Sequence, residues 1–399
     1  MQKKGLLLVL GLYVAATVVS YAAFSSTSKP GSQVSITDQQ EEELEEGQTL
    51  LSALLQIDPS EPKDQPCPLT GELYTQTERT AWEQRRPLAV MIENSPDARP
   101  QSGMGQADVV YEAMAEGGVT RFMGLFYCGV QRYDTVLAPV RSARTYFVDW
   151  ASGYNFPLYV HVGGANLPGP TDALGQISQY GWATQNDLNQ FSIGYPTFVR
   201  NGNRIEGKQV ATEHTMETST ERLWKVGAAR KWTNLSPERR SGKKVIPATD
   251  WKEGFTPWEF VDGTPSSAPV TPISFQFWDG FDQYGVKWDY DSATNTYKRT
   301  MAGTPHVDLN DGKQIEVSNV VVLLTTEKGP LNELKHMLYA TTGTGKALVF
   351  HDGKTVDARW SKKDRTDELT FTDAKGKALS FVRGSVWISV VDVGTKVTY

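Results

Sequence analysis

The sequence predicts an α+β protein: an N-terminal α/β domain with a mixed sheet, followed by a C-terminal antiparallel β-rich domain, either a barrel or a sandwich. Three observations carry that expectation. Apolar strand-like runs alternate with helix-period segments between residues 67 and 233. From residue 265 onward, short stretches rich in Thr, Val, Trp, Phe and Tyr recur at close intervals and are parted by turn dipeptides such as Asp352-Gly353. A chain of 399 residues also exceeds what one hydrophobic core usually fills.

The first element is an uncharged run from Gly5 to Phe24, preceded by Lys3 and Lys4. Its length suits a helix crossing the hydrocarbon core. Positive charge ahead of it, and none directly after, places the N-terminus in the cytoplasm and the folded part outside. Residues 1–24 are therefore expected to be a single-pass membrane anchor, with the cell membrane as partner through residues 5–24. The alternative is a cleaved signal peptide, because Ser20-Tyr21-Ala22 loosely fits a cleavage site, but the run exceeds the usual signal-peptide core. Residues 25–66 are rich in Ser, Gln, Glu and Pro, hold no aromatic residue and include the acidic block Glu41–Glu46, the composition of a disordered spacer.

Within residues 67–233, "PLAVMIE", "ADVVYEAMAE" and "TRFMGLFYC" read as strands, the last two joined as a hairpin through Gly117-Gly118. "APVRSARTYFVDWASGY" repeats apolar residues at helical spacing, with Arg141 and Arg144 at its start. "PLYVHVGG" is a buried strand, the segment after it holds short helices, and Asn201-Gly202 is placed for a tight hairpin turn. "STERLWKVGAARKW" is a helix capped by Ser219 or Thr220. Residues 234–264, charged and Pro/Gly-punctuated, form the connector, and residues 265–399 the β-rich domain.

Composition excludes some functions. A net charge of −6 provides no basic stripe, so no nucleic-acid partner is expected. "TTGTGKAL" lacks the glycine spacing and the hydroxyl of a phosphate loop and reads as a turn between strands, and no serine sits in a Gly-x-Ser-x-Gly elbow. Five histidines show no metal-ligand spacing, His306 with Asp308 coming nearest, so neither a metal nor a cofactor is expected. Cys67 and Cys128 are the only cysteines; an outside location permits a disulfide between them, two buried thiols being the alternative.

The remaining candidates are charged. Arg99, Arg121, Arg141 and Arg144 belong to the same dense segments, and Arg141 and Arg144 would share a face at a helix N-terminus, where anions are favoured. Glu112 and Glu116 are candidate acids, although i,i+4 residues on a strand lie too far apart for a paired-carboxylate glycosidase unless a partner such as Asp108 or Asp149 comes from elsewhere. His161, just before Gly163-Gly164, stands where open α/β sheets place ligands. Two readings are open for the arginines: pairing with Glu112, Glu116 and Asp149, or an external anion.

"RPLAVMIEN", "ARPQSG", "ADVVYEAMAEGGVTRF", "PVRSARTYFVDWA" and "YVHVGG" resemble the N-terminal domain of the YerB-like envelope protein family, and "GKALVFHDGKTVDARWSKKDRT" with "SVWISVV" is similar to its second domain. The resemblance implies an extracytoplasmic, membrane-tethered protein rather than a particular activity. Many members carry a lipid on a cysteine; this chain has Gly5–Phe24 in that place. The expected function is binding of an anionic envelope component through an arginine-lined pocket, with Arg141 and Arg144 on the anion, Arg99 and Arg121 beside them, and His161 and Asn94 orienting the ligand. Two alternatives stand beside it. One is an enzyme that cleaves or modifies peptidoglycan glycan with Glu112 or Glu116 as general acid; the other is a scaffold for cell-wall machinery, binding a wall polymer or an envelope protein.

Overall fold

Ten strands drawn from both halves of the chain form one continuous mixed sheet. In the computed structural model, which describes residues 55–399 except Pro237, they are β1 (Leu88–Glu93), β2 (Val109–Glu116), β3 (Val119–Phe126), β4 (Leu158–His161), β5 (Asp187–Asn189), β6 (Asn319–Thr325), β7 (Gly343–His351), β8 (Lys354–Lys362), β9 (Thr370–Thr372) and β10 (Val386–Asp392). The spatial order is β9-β8-β7-β6-β10-β2-β3-β1-β4-β5. The expected anchor, and the spacer up to residue 54, lie outside the described residues. Among the described residues no helix is long and apolar enough to cross a membrane.

Local chemistry explains the individual strands. Every residue of β1 and β4 is buried, as suits central strands covered on both faces. Gly117 and Gly118 both take positive φ in the β2–β3 hairpin, and a Cβ on Gly118 would lie 2.0 Å from the Phe281 ring. Asp352-Gly353 makes the same kind of two-residue turn between β7 and β8.

The join between the halves is β10. It pairs in parallel with β6 from Asn319↔Val386 to Thr325↔Asp392, and in parallel with β2 from Val386↔Val109 to Ser389↔Glu112. Because "VWISVV" is buried throughout, it is unsuited to an exposed edge and inserts between the halves. This corrects the expected C-terminal barrel or sandwich: α+β holds, but β6–β10 extend the N-terminal sheet, and the chain from 67 to 399 lies in one contact unit. A second, five-stranded antiparallel sheet, built on Val286–Asp291 and Thr296–Met301, lies against its centre, with Trp288 meeting Trp387 edge to face at 5.5 Å.

The described helices are short: α1 (Gln76–Trp82), α2 (Thr145–Ser152), α3 (Ala173–Gln179), α4 (Gln190–Ile193) and α5 (Thr220–Ala229). α1 opens with a capping box between Thr75 and Glu78. The Asp134 carboxylate accepts from the Glu221 N–H at the start of α5. Cys67 and Cys128 are joined by a disulfide beside Asp108, whose carboxylate accepts from the backbone N–H groups of Tyr127, Cys128 and Gly129.

Three local expectations are corrected. α2 begins at Thr145, so Arg141 precedes the helix and Arg144 is its N-cap; the two do not share a helix face. Val199–Arg200 pairs with Met216–Glu217 rather than closing a hairpin at Asn201-Gly202, because the loop returns through residues 201–215. The glycines of "TTGTGKAL" lie in β7 itself, where a Cβ on Gly345 would meet Trp360 Nε1 at 2.4 Å.

Candidate functional site

Beyond the C-terminal end of β4 the chain turns at Gly163 and Gly164, and a cleft of about 640 Å³ opens there. Arg141, Ser142, Gly163, Phe191, Arg200 and Glu213 are among its walls. Backbone bonds hold this rim: Arg141 N–H donates to Met91, Val162 N–H to Arg141, and Ala143 N–H to Gly163. His161 lies beneath and is fully buried, with Nδ1 2.6 Å from the Gly163 carbonyl and Nε2 2.6 Å from Asp187 Oδ1. It positions the glycine turn rather than facing the cleft, which corrects its expected ligand-orienting role.

Arg141 is the one predicted arginine that lines the cleft. Its Nε stands 3.4 Å from Glu93 Oε1 and is buried with no hydrogen-bond partner, while the side chain remains 28% exposed. Glu93 is shared, since its other oxygen meets His214 Nδ1 at 2.9 Å. Arg200, which sequence reasoning missed, also lines the cleft and donates to the Thr212 carbonyl at 2.5 Å. Exposed Glu213 lines the same cleft and interacts with both. Its own backbone N–H is the main influence holding that carboxyl below the ordinary range, and the charges of His214, Arg141 and Arg200 add to it.

Arg121 and Arg144 form the frame behind. Arg121 donates to Glu116 Oε1 at 2.5 Å and to the Ser142 carbonyl; Arg144 donates to Glu116 Oε2 at 2.7 Å and to the Ala143 carbonyl. One glutamate thus locks two guanidinium groups onto the carbonyls of the strip that carries Arg141 and Ser142. Burial raises the Glu116 carboxyl, and the two arginines more than reverse this, holding it at about 2. The geometry makes Glu116 the shared acceptor of two arginines, the arrangement of a carboxylate kept ionised.

The carboxylate's pKa is lower folded than unfolded, so its stabilisation is complete above the ordinary value of 4.5 and disappears as pH falls towards 2. The stability advantage of the parent protein over Glu116→Gln should accordingly shrink by about 1–2 kcal/mol between pH 5 and pH 3 in urea titrations. A constant difference over that interval would show that Glu116 is not held ionised by its arginines.

Glu112 and Asn94 belong to a different structure, a closed ring of buried hydrogen bonds linking the two halves of the chain. Arg299 donates to Glu112 Oε2 at 2.6 Å and to His306 Nδ1 at 2.6 Å; His306 Nε2 meets Gln101 Oε1 at 2.9 Å. Gln101 donates to Asn94 Oδ1, Asn94 to Thr120 Oγ1, and Thr120 back to Glu112 Oε1. Burial, with Arg299 and Arg99 adjoining, holds the His306 imidazole well below its ordinary value, so it is neutral and carries its proton on Nε2. Trp387 Nε1 also donates to Glu112. Glu112 is fully buried and cannot reach a polymer in water, which removes it as a general acid. Arg99 lies beside this ring, donating to Asn94 and Gln283 and covering the Tyr284 ring, away from the cleft.

The arginines therefore divide: Arg121 and Arg144 are internally paired, Arg99 is engaged by amides and an aromatic ring, and Arg141 faces water. Among the described residues, the one trio of His, Cys, Asp or Glu close enough to share a metal is Cys67, Asp108 and Cys128, and its two sulfurs are already joined.

Comparison with known proteins supplies a relationship. Residues 69–233 match the family described as protein of unknown function (DUF3048) N-terminal domain, and residues 274–388 match the DUF3048 C-terminal domain. A Bacillus subtilis (strain 168) protein described as "Putative lipoprotein YerB" is 29% identical over 341 residues, which is 84% of this chain and 88% of that one. The crystal structure of YerB protein from Bacillus subtilis superimposes with a TM-score of 0.64 at 25% identity, covering 84% of this chain and 100% of that chain.

Proposed function

Taking as premise that this chain belongs to the DUF3048 family, we propose that it is a membrane-anchored extracytoplasmic protein whose cleft beyond β4 holds an anionic group of a cell-envelope component between Arg141 and Arg200. The location is supported by the uncharged run Gly5–Phe24 behind Lys3 and Lys4, by the disulfide, and by the description of the Bacillus subtilis relative as a lipoprotein. The site is supported chiefly by one observation. Arg141 stands in an open cleft while its ion-pair partner, Glu93, is shared with His214, and although the exposed carboxylate of Glu213 adds negative charge to the same cleft, the guanidinium groups of Arg141 and Arg200 both line it where water and a ligand can enter.

Two guanidinium groups lining one cleft suit a carboxylate or phosphate, to which they would donate charge-assisted hydrogen bonds. The frame of Glu116, Arg121 and Arg144 keeps Arg141 in place without competing for the ligand. In co-sedimentation of the full chain, carried in detergent micelles, with an insoluble anionic wall polymer, Arg141→Ala and Arg200→Ala should each weaken retention about tenfold. Arg79→Ala, which removes an exposed pair with Glu83 on α1, should leave retention unchanged. Equal losses for all three would reduce the effect to bulk charge and defeat the proposal.

A further inference from the structure

We infer that the anionic ligand of this cleft is a saccharide, its ring laid against Phe191 while its carboxylate or phosphate lies between Arg141 and Arg200; this rests on the anion reading above. Phe191 is a large apolar side chain left 75% exposed at a wall of the cleft. It is nonetheless held in place. Asn189 Oδ1 accepts both the Phe191 N–H at the start of α4 and the Gly163 N–H of the turn, tying the two segments together. The ring closes over Gly163 so nearly that a Cβ there would lie 2.9 Å from Phe191 Cε2. The glycine turn thus gives the ring a fixed seat and leaves most of it in solvent.

The rest of the lining matches. Short polar side chains, Ser142, Asn166 and Thr212, lie among the apolar walls, and the Glu213 carboxylate beside Arg141 and Arg200 is an acceptor for sugar hydroxyls. A cleft of about 640 Å³ is much larger than a bare inorganic anion requires and falls in the range of small-molecule sites. A sugar acid or sugar phosphate presents the three surfaces this cleft complements: a face of C–H groups for the aromatic ring, hydroxyls for short polar groups, and one anion for the arginines. Carboxylate and phosphate share this chemistry, so both are tested.

The test is calorimetric titration of the full chain, carried in detergent micelles, with inorganic phosphate, acetate, glucose 1-phosphate, glucuronate and uridine monophosphate. At least one of glucose 1-phosphate and glucuronate should bind about five- to tenfold more tightly than the corresponding simple anion. Phe191→Ala should remove that advantage while leaving phosphate and acetate affinities unchanged, and Arg141→Ala should weaken sugar and simple anions alike. Sugar anions no tighter than simple ones, an advantage that survives Phe191→Ala, or uridine monophosphate binding best of all would each overturn the saccharide assignment while leaving the anion site standing. Absence of binding by every anion would overturn both.

Discussion

Arg299→Met is expected to cost the protein about 3–5 kcal/mol of stability, because it strands a fully buried carboxylate on Glu112 and removes the donor to His306 Nδ1. Glu112→Leu should do similar damage from the other side, leaving a buried guanidinium without its acid. The double variant Glu112→Leu with Arg299→Met should lose less than the sum of the two, because neither charge then remains unpaired. Urea unfolding of all four proteins supplies the cycle, with midpoints compared at a common slope. Additive losses would mean that the two side chains act independently and that the ring is not an energetic unit. The ring also bears on the architecture, since Glu112 on β2, Thr120 on β3 and Asn94 and Gln101 in the loop after β1 meet Arg299 in the second sheet and His306 just beyond its Thr304–Pro305 strand. Weakening it should loosen the two halves together, seen as accelerated limited proteolysis in both.

The second large effect concerns the disulfide. Cys67 and Cys128 are 61 residues apart, and the chain-entropy treatment of such a loop assigns the link about 4 kcal/mol through restriction of the unfolded chain. Cys67→Ala with Cys128→Ala should therefore lower the urea midpoint substantially, and reductant should move the parent protein to nearly the same position. Both sulfurs are buried, so reductant alone, without urea, should act slowly on the folded protein. An unchanged midpoint in the double alanine variant would show that Asp108 and the backbone bonds around Tyr127–Gly129 hold this corner without the covalent link.

Much of the fold was legible because its signals are local. The Gly117-Gly118 hairpin, the buried strand ahead of Gly163, the turn at Asp352-Gly353 and the helix after Ser219 all follow from glycine conformation, apolar runs and capping residues a few positions apart. The candidate site was only partly legible. Arg141 and the glycine turn line one cleft, though Arg141 stands ahead of the helix rather than on its first turn, and Arg200 and Phe191, in polar segments without periodicity, carried no mark of their place there. His161 and Asn94 read as ligand-facing because a polar residue beside a strand end looks alike whether it meets a ligand or a partner 26 residues away, as His161 meets Asp187 and Asn94 meets Thr120.

By itself, the sequence determined where most of the long strands and the helix after Ser219 form, that the two cysteines could pair once outside the cell, and that Arg99, Arg121, Arg141 and Arg144 fall in the same dense segments as Glu112 and Glu116. Only the tertiary structure decided which charge meets which: Glu112 finds Arg299 across 187 residues, Glu116 takes Arg121 and Arg144 together, and Arg141 is left facing a cleft. It also decided that the last long strand, β10, completes the N-terminal sheet instead of closing a barrel of its own. The physical reason is one of range. Backbone preference and hydrophobic period act over a few residues, whereas strand partnership and the neutralisation of buried charge depend on groups that the chain brings together only when it folds.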